Sequence, residues 1–159
     1  MVLSLIVVLA AVGVVLAITW RPEPDPIKRV DSAPLHALAA AQAGYRVLDP
    51  QTQLDGFVPT SVRWEATPES VGSPVWHVGG VYRDEYLQIT QSSTTEPGYL
   101  AEQTAGGSPI GTVDIDGASW EQRESSSRRS LVLQRDGVTT VVSGTLGWEA
   151  LDAVAAQVT

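Results

Sequence analysis

The chain has 159 residues, with 10 lysines and arginines against 18 aspartates and glutamates, so its formal net charge at pH 7 is −8. This length accommodates one ordinary domain with a short appendage. The chain has no cysteine, which excludes a disulfide framework, a thiolate metal site, a cysteine nucleophile and a lipid-modified cysteine. The acidic balance, without a basic patch, argues against a nucleic-acid partner.

The first 20 residues predict a transmembrane anchor. The run from Val2 to Trp20 has no charged residue and contains twelve Leu, Ile or Val side chains. At about 1.5 Å per residue, a helix of this length covers roughly 30 Å, the thickness of the bilayer hydrocarbon. A cleaved signal peptide would have a shorter apolar core followed by small residues. We therefore expect the lipid bilayer to be a partner of residues 1–20.

Residues 21–31 predict an extended stalk, because Pro22, Pro24 and Pro26 exclude both helix and central strand. We expect residues 32–159 to form an extracytoplasmic domain of a single-pass protein in the cytoplasmic membrane. The positive-inside rule does not favour this orientation, since Arg21 and Lys28 follow the span. The expectation depends instead on large domains crossing the membrane largely regardless of charge.

Helices are predicted at both ends of the domain. Asp31 or Ser32 can cap the first helix, Pro34 suits its first turn, and Gly44 suits its end. The last helix spans residues 148–158. Its apolar side chains follow helical spacing and predict a buried face: Leu151, Val154, Ala155 and Val158.

Between the helices the hydrophobic period changes to two, which predicts strands. Residues 62–65 are predicted to form a short strand, and residues 75–82 and 86–91 are predicted to form a hairpin. Asp-Gly pairs at residues 116–117 and 136–137 predict two further hairpins with type I′ turns. A short helix or loop begins at Pro97 and ends by Gly107. The fold class is therefore α+β, an antiparallel sheet of about six strands packed by an N-terminal and a C-terminal helix.

Few side chains could carry acid–base chemistry. His36 is expected on the exposed side of the first helix, and His77 lies in a strand beside Trp76. The chain contains neither a Gly-x-Ser-x-Gly nor a Ser-x-x-Lys motif, so no catalytic residue is predicted. Asp114 and Asp116 resemble part of a calcium loop but fit a hairpin better, so no metal site or cofactor is predicted.

Four tryptophans follow the anchor: Trp64, Trp76, Trp120 and Trp148. Most of them should belong to the core, but an indole in an open groove would offer a flat surface to a sugar ring or an acyl chain. Arg123, Arg128 and Arg129 surround three serines and favour a solvated loop, with contact to an anion or a partner as the functional alternative. The candidate ligand-binding residues are Trp76, His77, Trp120 and Arg123.

Several segments together resemble a known family. They are residues 59–64 (PTSVRW), 74–79 (PVWHVG), 87–92 (LQITQS), 117–121 (GASWE) and 143–151 (SGTLGWEAL), together with the leading apolar run. With these segments the chain resembles the actinobacterial membrane-anchored family called domain of unknown function 4245. The resemblance covers nearly the whole chain and implies no known activity.

Three hypotheses for the function follow. In the first, the chain is a non-enzymatic envelope protein that binds an envelope protein, lipid or glycan. In the second, it is an envelope hydrolase that uses His77 with a nearby serine or carboxylate. In the third, it is a passive component of a larger membrane complex.

Overall fold

The structure is a computed structural model that describes residue 12 and residues 27–66, 72–94 and 96–159. It is an α+β fold with one antiparallel sheet of seven strands in the order β1-β2-β3-β7-β6-β5-β4. The strands are β1 (Val58–Glu65), β2 (Val75–Tyr82), β3 (Glu85–Ser92), β4 (Ser108–Ile115), β5 (Ala118–Glu124), β6 (Arg129–Arg135) and β7 (Val138–Gly144). The prediction of about six strands is thus one too low. The short candidate at residues 62–65 is the second half of β1, which pairs with β2 along its whole length.

The predicted hairpins are confirmed, and their turns have the predicted backbone geometry. Asp116, Gly117, Asp136 and Gly137 all have positive φ angles, as a two-residue type I′ turn requires. The side chain of Asp114 accepts a hydrogen bond from the N–H of Gly117 at 3.1 Å, so this carboxylate stabilises the hairpin. The turn between β2 and β3 consists of Arg83 and Asp84, both with positive φ, although neither is glycine.

Helices cover one face of the sheet and enclose the apolar core. Three helices lie on this face: α1 (Ala33–Gln42), the short α2 (Pro50–Gln53) and the last helix of the chain, α4 (Trp148–Val158). The helix α4 packs against β6 and β7. Leu151, Val154, Ala155 and Val158 of α4 are buried, as the helical spacing predicts. The helix α1 starts directly after Ser32, as predicted, but the side chain of Ser32 does not cap it. The carboxylate of Asp31 accepts the N–H of Ala33 at 3.0 Å.

The opposite face of the sheet is covered only in part. The chain leaves β3, forms α3 (Pro97–Gln103), and then enters β4 at the far edge of the sheet. Gln103 of α3 accepts a hydrogen bond from the side chain of Gln88 on β3 at 3.0 Å, which places α3 over this face. We call this the second face. On β1 and β2, the side chains of the second face include Arg63 and His77, which lie directly opposite each other on the two strands.

The predicted anchor, residues 1–20, lies outside the described residues except for Val12, and so do residues 21–26 of the predicted stalk. No helix in the described part of the chain has the length and apolar character needed to cross a membrane. Residues 27–31 form neither helix nor strand. The N–H of Val30 donates to the carbonyl of Pro59 at 2.8 Å, so this segment contacts the edge strand β1.

Candidate functional site

Trp76 and Trp120 lie in the core beneath the helices, and neither side chain is exposed. The indole N–H of Trp76 donates to the carbonyl of Leu48 at 3.0 Å. The indole N–H of Trp120 has no partner among the described residues. Both residues occupy strand positions that point toward the helices, so neither indole offers a flat surface to a ligand. They do not form the open groove that the sequence allowed.

Arg123 and His77 lie on the second face but not together, since β3, β7 and β6 separate their strands. The guanidinium of Arg123 forms an ion pair with Glu121 and donates to the carbonyl of Gly107 at 2.9 Å. The ion pair lies within β5, and the hydrogen bond connects β5 to the turn before β4. The four candidate residues are therefore divided between the two faces and do not form one site.

His36 is half-buried rather than on the exposed side of α1, which corrects the prediction. Its ring packs edge-on against Trp76, with the ring centroids 5.9 Å apart. Its Nε2 lies 3.1 Å from the carbonyl oxygen of Val47, which fits a hydrogen bond from a protonated Nε2. These contacts make His36 part of the packing between α1 and the sheet.

His77 is surrounded by a group of polar side chains that we call the cationic cluster: Arg63 on β1, His77 on β2, Tyr86 and Gln88 on β3, and Arg128 in the loop between β5 and β6. The Nη2 of Arg63 lies 3.4 Å from the Nε2 of His77. A guanidinium can only donate, so Nε2 is the acceptor and carries no proton in this arrangement. In the described part of the chain, no carboxylate and no serine hydroxyl hydrogen-bonds to His77.

Gln88 connects the other members of the cationic cluster. Its Oε1 accepts hydrogen bonds from the hydroxyl of Tyr86 at 2.8 Å and from Nη1 of Arg128 at 3.4 Å. The guanidinium of Arg128 also lies over the ring of Tyr86, 5.4 Å from its centroid. Because Gln88 is buried and also bonds to Gln103, its amide is fixed and orients both Tyr86 and Arg128.

Gly79 forms the floor of the cationic cluster. A Cβ at this position would lie 3.1 Å from the hydroxyl of Tyr86 and 3.5 Å from Nε2 of His77. Gly79 is itself buried, because the side chains of Tyr86 and His77 close over the position of the missing Cβ. The sequence analysis did not identify Gly79 as part of a site.

The surroundings keep His77 uncharged. Burial, and to a smaller extent the nearby charges of Arg63 and Arg128, lower the pKa of its imidazole to about 4. His77 is thus neutral at pH 7, while the two arginines keep their charges. The cationic cluster therefore presents two guanidiniums, a neutral imidazole and a phenol.

Neither arginine of the cationic cluster is neutralised by a carboxylate in the described residues. The ion pairs found there are Arg123 with Glu121 and Arg129 with Glu124. Guanidiniums bind carboxylate, sulfate and phosphate oxygens through charged hydrogen bonds, so the arrangement is suited to an anion.

Of the cationic cluster, His77 is a site residue predicted from the sequence and Arg128 a candidate for anion contact, whereas Arg63, Tyr86 and Gln88 were not predicted. The alternation of β1 and β2 could have placed Arg63 beside His77 once the strand pairing was known. Nothing local could have placed Arg128 there. Its loop reaches Tyr86 only because β7 pairs with β3 and β6 pairs with β7.

We expect the imidazole of His77 to titrate near pH 4 in NMR spectra, and the Arg63→Ala variant to titrate at a higher pH. The unfolded chain binds a proton to this histidine near pH 6.5, whereas the folded chain does so only near pH 4. The unfolded state therefore binds more protons between these values, and stability should decrease as the pH falls from 6.5 to 4. A normal titration of His77 in the folded protein would contradict this prediction. Urea unfolding of the His77→Gln variant at both pH values provides the control.

Comparison with known proteins identifies the family. No curated protein and no solved structure matches the chain. The family model described as "Protein of unknown function (DUF4245)" matches residues 1–158, nearly the whole chain. The chain therefore belongs to this family, as its sequence segments predict.

Proposed function

We propose that this protein is a binding module of the cell envelope, and that its ligand carries a negatively charged group that docks at the cationic cluster. The observation that carries the proposal is the pair of arginines, Arg63 and Arg128, which face His77 without a carboxylate partner in the described residues. The rest of the proposal is that residues 1–20 anchor the chain in the cytoplasmic membrane and that the domain faces outward. The uncharged apolar run supports the anchor.

The charge distribution supports recognition of one ligand group rather than general adhesion. A net charge of −8 repels anionic surfaces at long range. Within the cationic cluster, Arg128 is half-buried. Partial burial weakens the screening of its charge by solvent and salt. An anion that reaches this position can accept charged hydrogen bonds from Arg63 and Arg128.

The test is a titration of the full chain, in a non-ionic detergent, with inorganic sulfate and inorganic phosphate. We expect the NMR signals of His77 and Tyr86 to shift on saturation. Arg63→Ala and Arg128→Ala should each weaken binding about tenfold or more, because a hydrogen bond to a charged group contributes about 1.5–3 kcal/mol.

Arg135→Ala is the matched control. Arg135 is exposed beside the turn between β6 and β7, and its removal changes the net charge by the same amount. Its affinity for the anions should equal that of the unchanged chain. If the double variant of Arg63 and Arg128 binds sulfate as well as the Arg135→Ala variant does, the proposed function is wrong.

A further inference from the structure

Resting on the proposed function, we propose that the bound group is a tetrahedral phosphoryl group and that His77 takes up a proton when it binds. The proposal thus names both the chemistry of the ligand and a change of charge in the protein. Two geometric features of the cationic cluster support it: its donors come from separate elements of the fold, and Gly79 brings Tyr86 and His77 close together.

The donors of the cationic cluster come from separate elements of the fold. Arg63 extends from the edge strand β1, His77 stands on β2, and Arg128 reaches across from the loop between β5 and β6. A carboxylate is planar and is satisfied by one guanidinium in its own plane. A phosphoryl group has three terminal oxygens in different directions, so it can accept from donors on several sides. Two guanidiniums also match the charge of a dianion better than that of a single carboxylate.

Gly79 brings two groups of the cationic cluster together. The position of its missing Cβ is 3.1 Å from the hydroxyl of Tyr86 and 3.5 Å from Nε2 of His77. The hydroxyl of Tyr86 donates its proton to Gln88, so the donor offered to a ligand at this point is the imidazole of His77 once it is protonated. A side chain at residue 79 would push Tyr86 and His77 apart.

The proton uptake follows from the groups that face His77. They are Arg63 from β1, Tyr86 from β3 and Arg128 from the β5–β6 loop. Among the described residues, the strand positions place three carboxylates on the same face: Glu65, two residues beyond Arg63; Glu121, which is paired with Arg123; and Asp114 on β4. The helix α3, which packs over this face, carries Glu102. The two arginines keep His77 neutral. A bound dianion reverses this local charge, and Arg63 turns its N–H groups toward the ligand. Nε2 of His77 is then free to bind a proton and donate it to the ligand.

The test uses sulfate as the probe, because sulfate stays a dianion between pH 5 and pH 8, whereas a phosphate ester titrates near pH 6. Its affinity for the full chain is measured by calorimetry across this range. If the bound ion returns the pKa of His77 from about 4 to its ordinary 6.5, sulfate should bind about 30-fold more tightly at pH 5 than at pH 8. Calorimetry at pH 5 in two buffers of different ionisation enthalpy should show an uptake of about 0.9 proton per sulfate by the same arithmetic.

Two comparisons make the result specific. The His77→Gln variant should bind sulfate with no more than a twofold change across this pH range, because glutamine donates a hydrogen bond but does not titrate. Acetate should bind at least tenfold more weakly than sulfate to the unchanged chain. If sulfate binding does not change with pH but is lost in the arginine variants, the proton uptake is wrong and the proposed function stands. If sulfate does not bind at all, both are wrong.

A phosphoryl group can belong to a lipid head group or to a soluble ester, and two further probes distinguish these sources. Glycerol phosphate tests the soluble ester. Phosphatidylcholine vesicles with and without phosphatidate test the lipid, using the full chain placed in separate neutral nanodiscs. Binding of either probe that is lost in the Arg128→Ala variant supports the proposal and identifies the source. If neither glycerol phosphate nor the phosphatidate vesicles bind, and acetate binds as tightly as sulfate, the ligand group is not a phosphoryl group.

Discussion

The Gly80→Ala variant is expected to lose at least about 3 kcal/mol of unfolding free energy. A Cβ at this position would lie 2.2 Å from the carbonyl oxygen of Val58 and 2.9 Å from the Cα of Pro59. Both atoms belong to the backbone of the neighbouring strand β1, next to its bulge, so no side-chain rotation can relieve the contact. Either β1 must separate from β2 or the bulge must be lost. Urea unfolding followed by circular dichroism measures the effect.

Two glycine variants serve as controls for this prediction. Gly98→Ala in α3 meets no atom within 4 Å and should be neutral or stabilising by up to about 1 kcal/mol. Gly79→Ala contacts only the ends of the Tyr86 and His77 side chains, so it should fold with a loss of no more than about 1 kcal/mol. It should nevertheless bind sulfate at least tenfold more weakly. A Gly80→Ala variant as stable as these two would show that β1 does not approach β2 as described.

The Trp76→Ala variant is expected to lose about 3–5 kcal/mol of unfolding free energy. The indole is fully buried between α1 and the sheet, and its removal leaves a cavity in the core. It also removes the hydrogen bond to the carbonyl of Leu48, which then has to be satisfied in another way. Thermal and urea unfolding of the variant measure this loss.

Substitution by phenylalanine separates the contribution of the hydrogen bond to stability from that of the cavity. Trp76→Phe should cost about 1–2 kcal/mol more than Trp120→Phe, because only Trp76 has a hydrogen-bond partner for its N–H among the described residues. Both indoles are fully buried, so the loss of apolar area is similar. Equal losses in the two variants would mean that the hydrogen bond to Leu48 contributes nothing.

The function of this protein can be tested at a few side chains of the cationic cluster. The family description names no activity. The cationic cluster gives a position at which binding can be measured, and Arg63, His77 and Arg128 can each be changed without entering the apolar core. The same variants test the proposed function and its proton coupling, with different readouts for each.

Local sequence patterns predicted most of the elements. The Asp-Gly turns of both C-terminal hairpins form because their backbone preference is decided within four residues. The buried face of α4 follows from the spacing of Leu151, Val154 and their neighbours. His36 and Leu38 were harder to place, since α1 is rich in alanine and its apolar pattern is weak. His36 packs against Trp76, whereas Leu38 remains 44% exposed.

The sequence by itself determined the family, the α+β class, the hairpins and the acidic charge, and it predicts the membrane anchor. Only the tertiary structure decided that β7 pairs with β3, and hence that Arg128 lies beside Tyr86, Gln88 and His77. The physical reason is the range of the interactions. A turn or a helix face depends on neighbouring residues, whereas the β3–β7 pairing joins residues about 50 positions apart and depends on burial over the whole sheet.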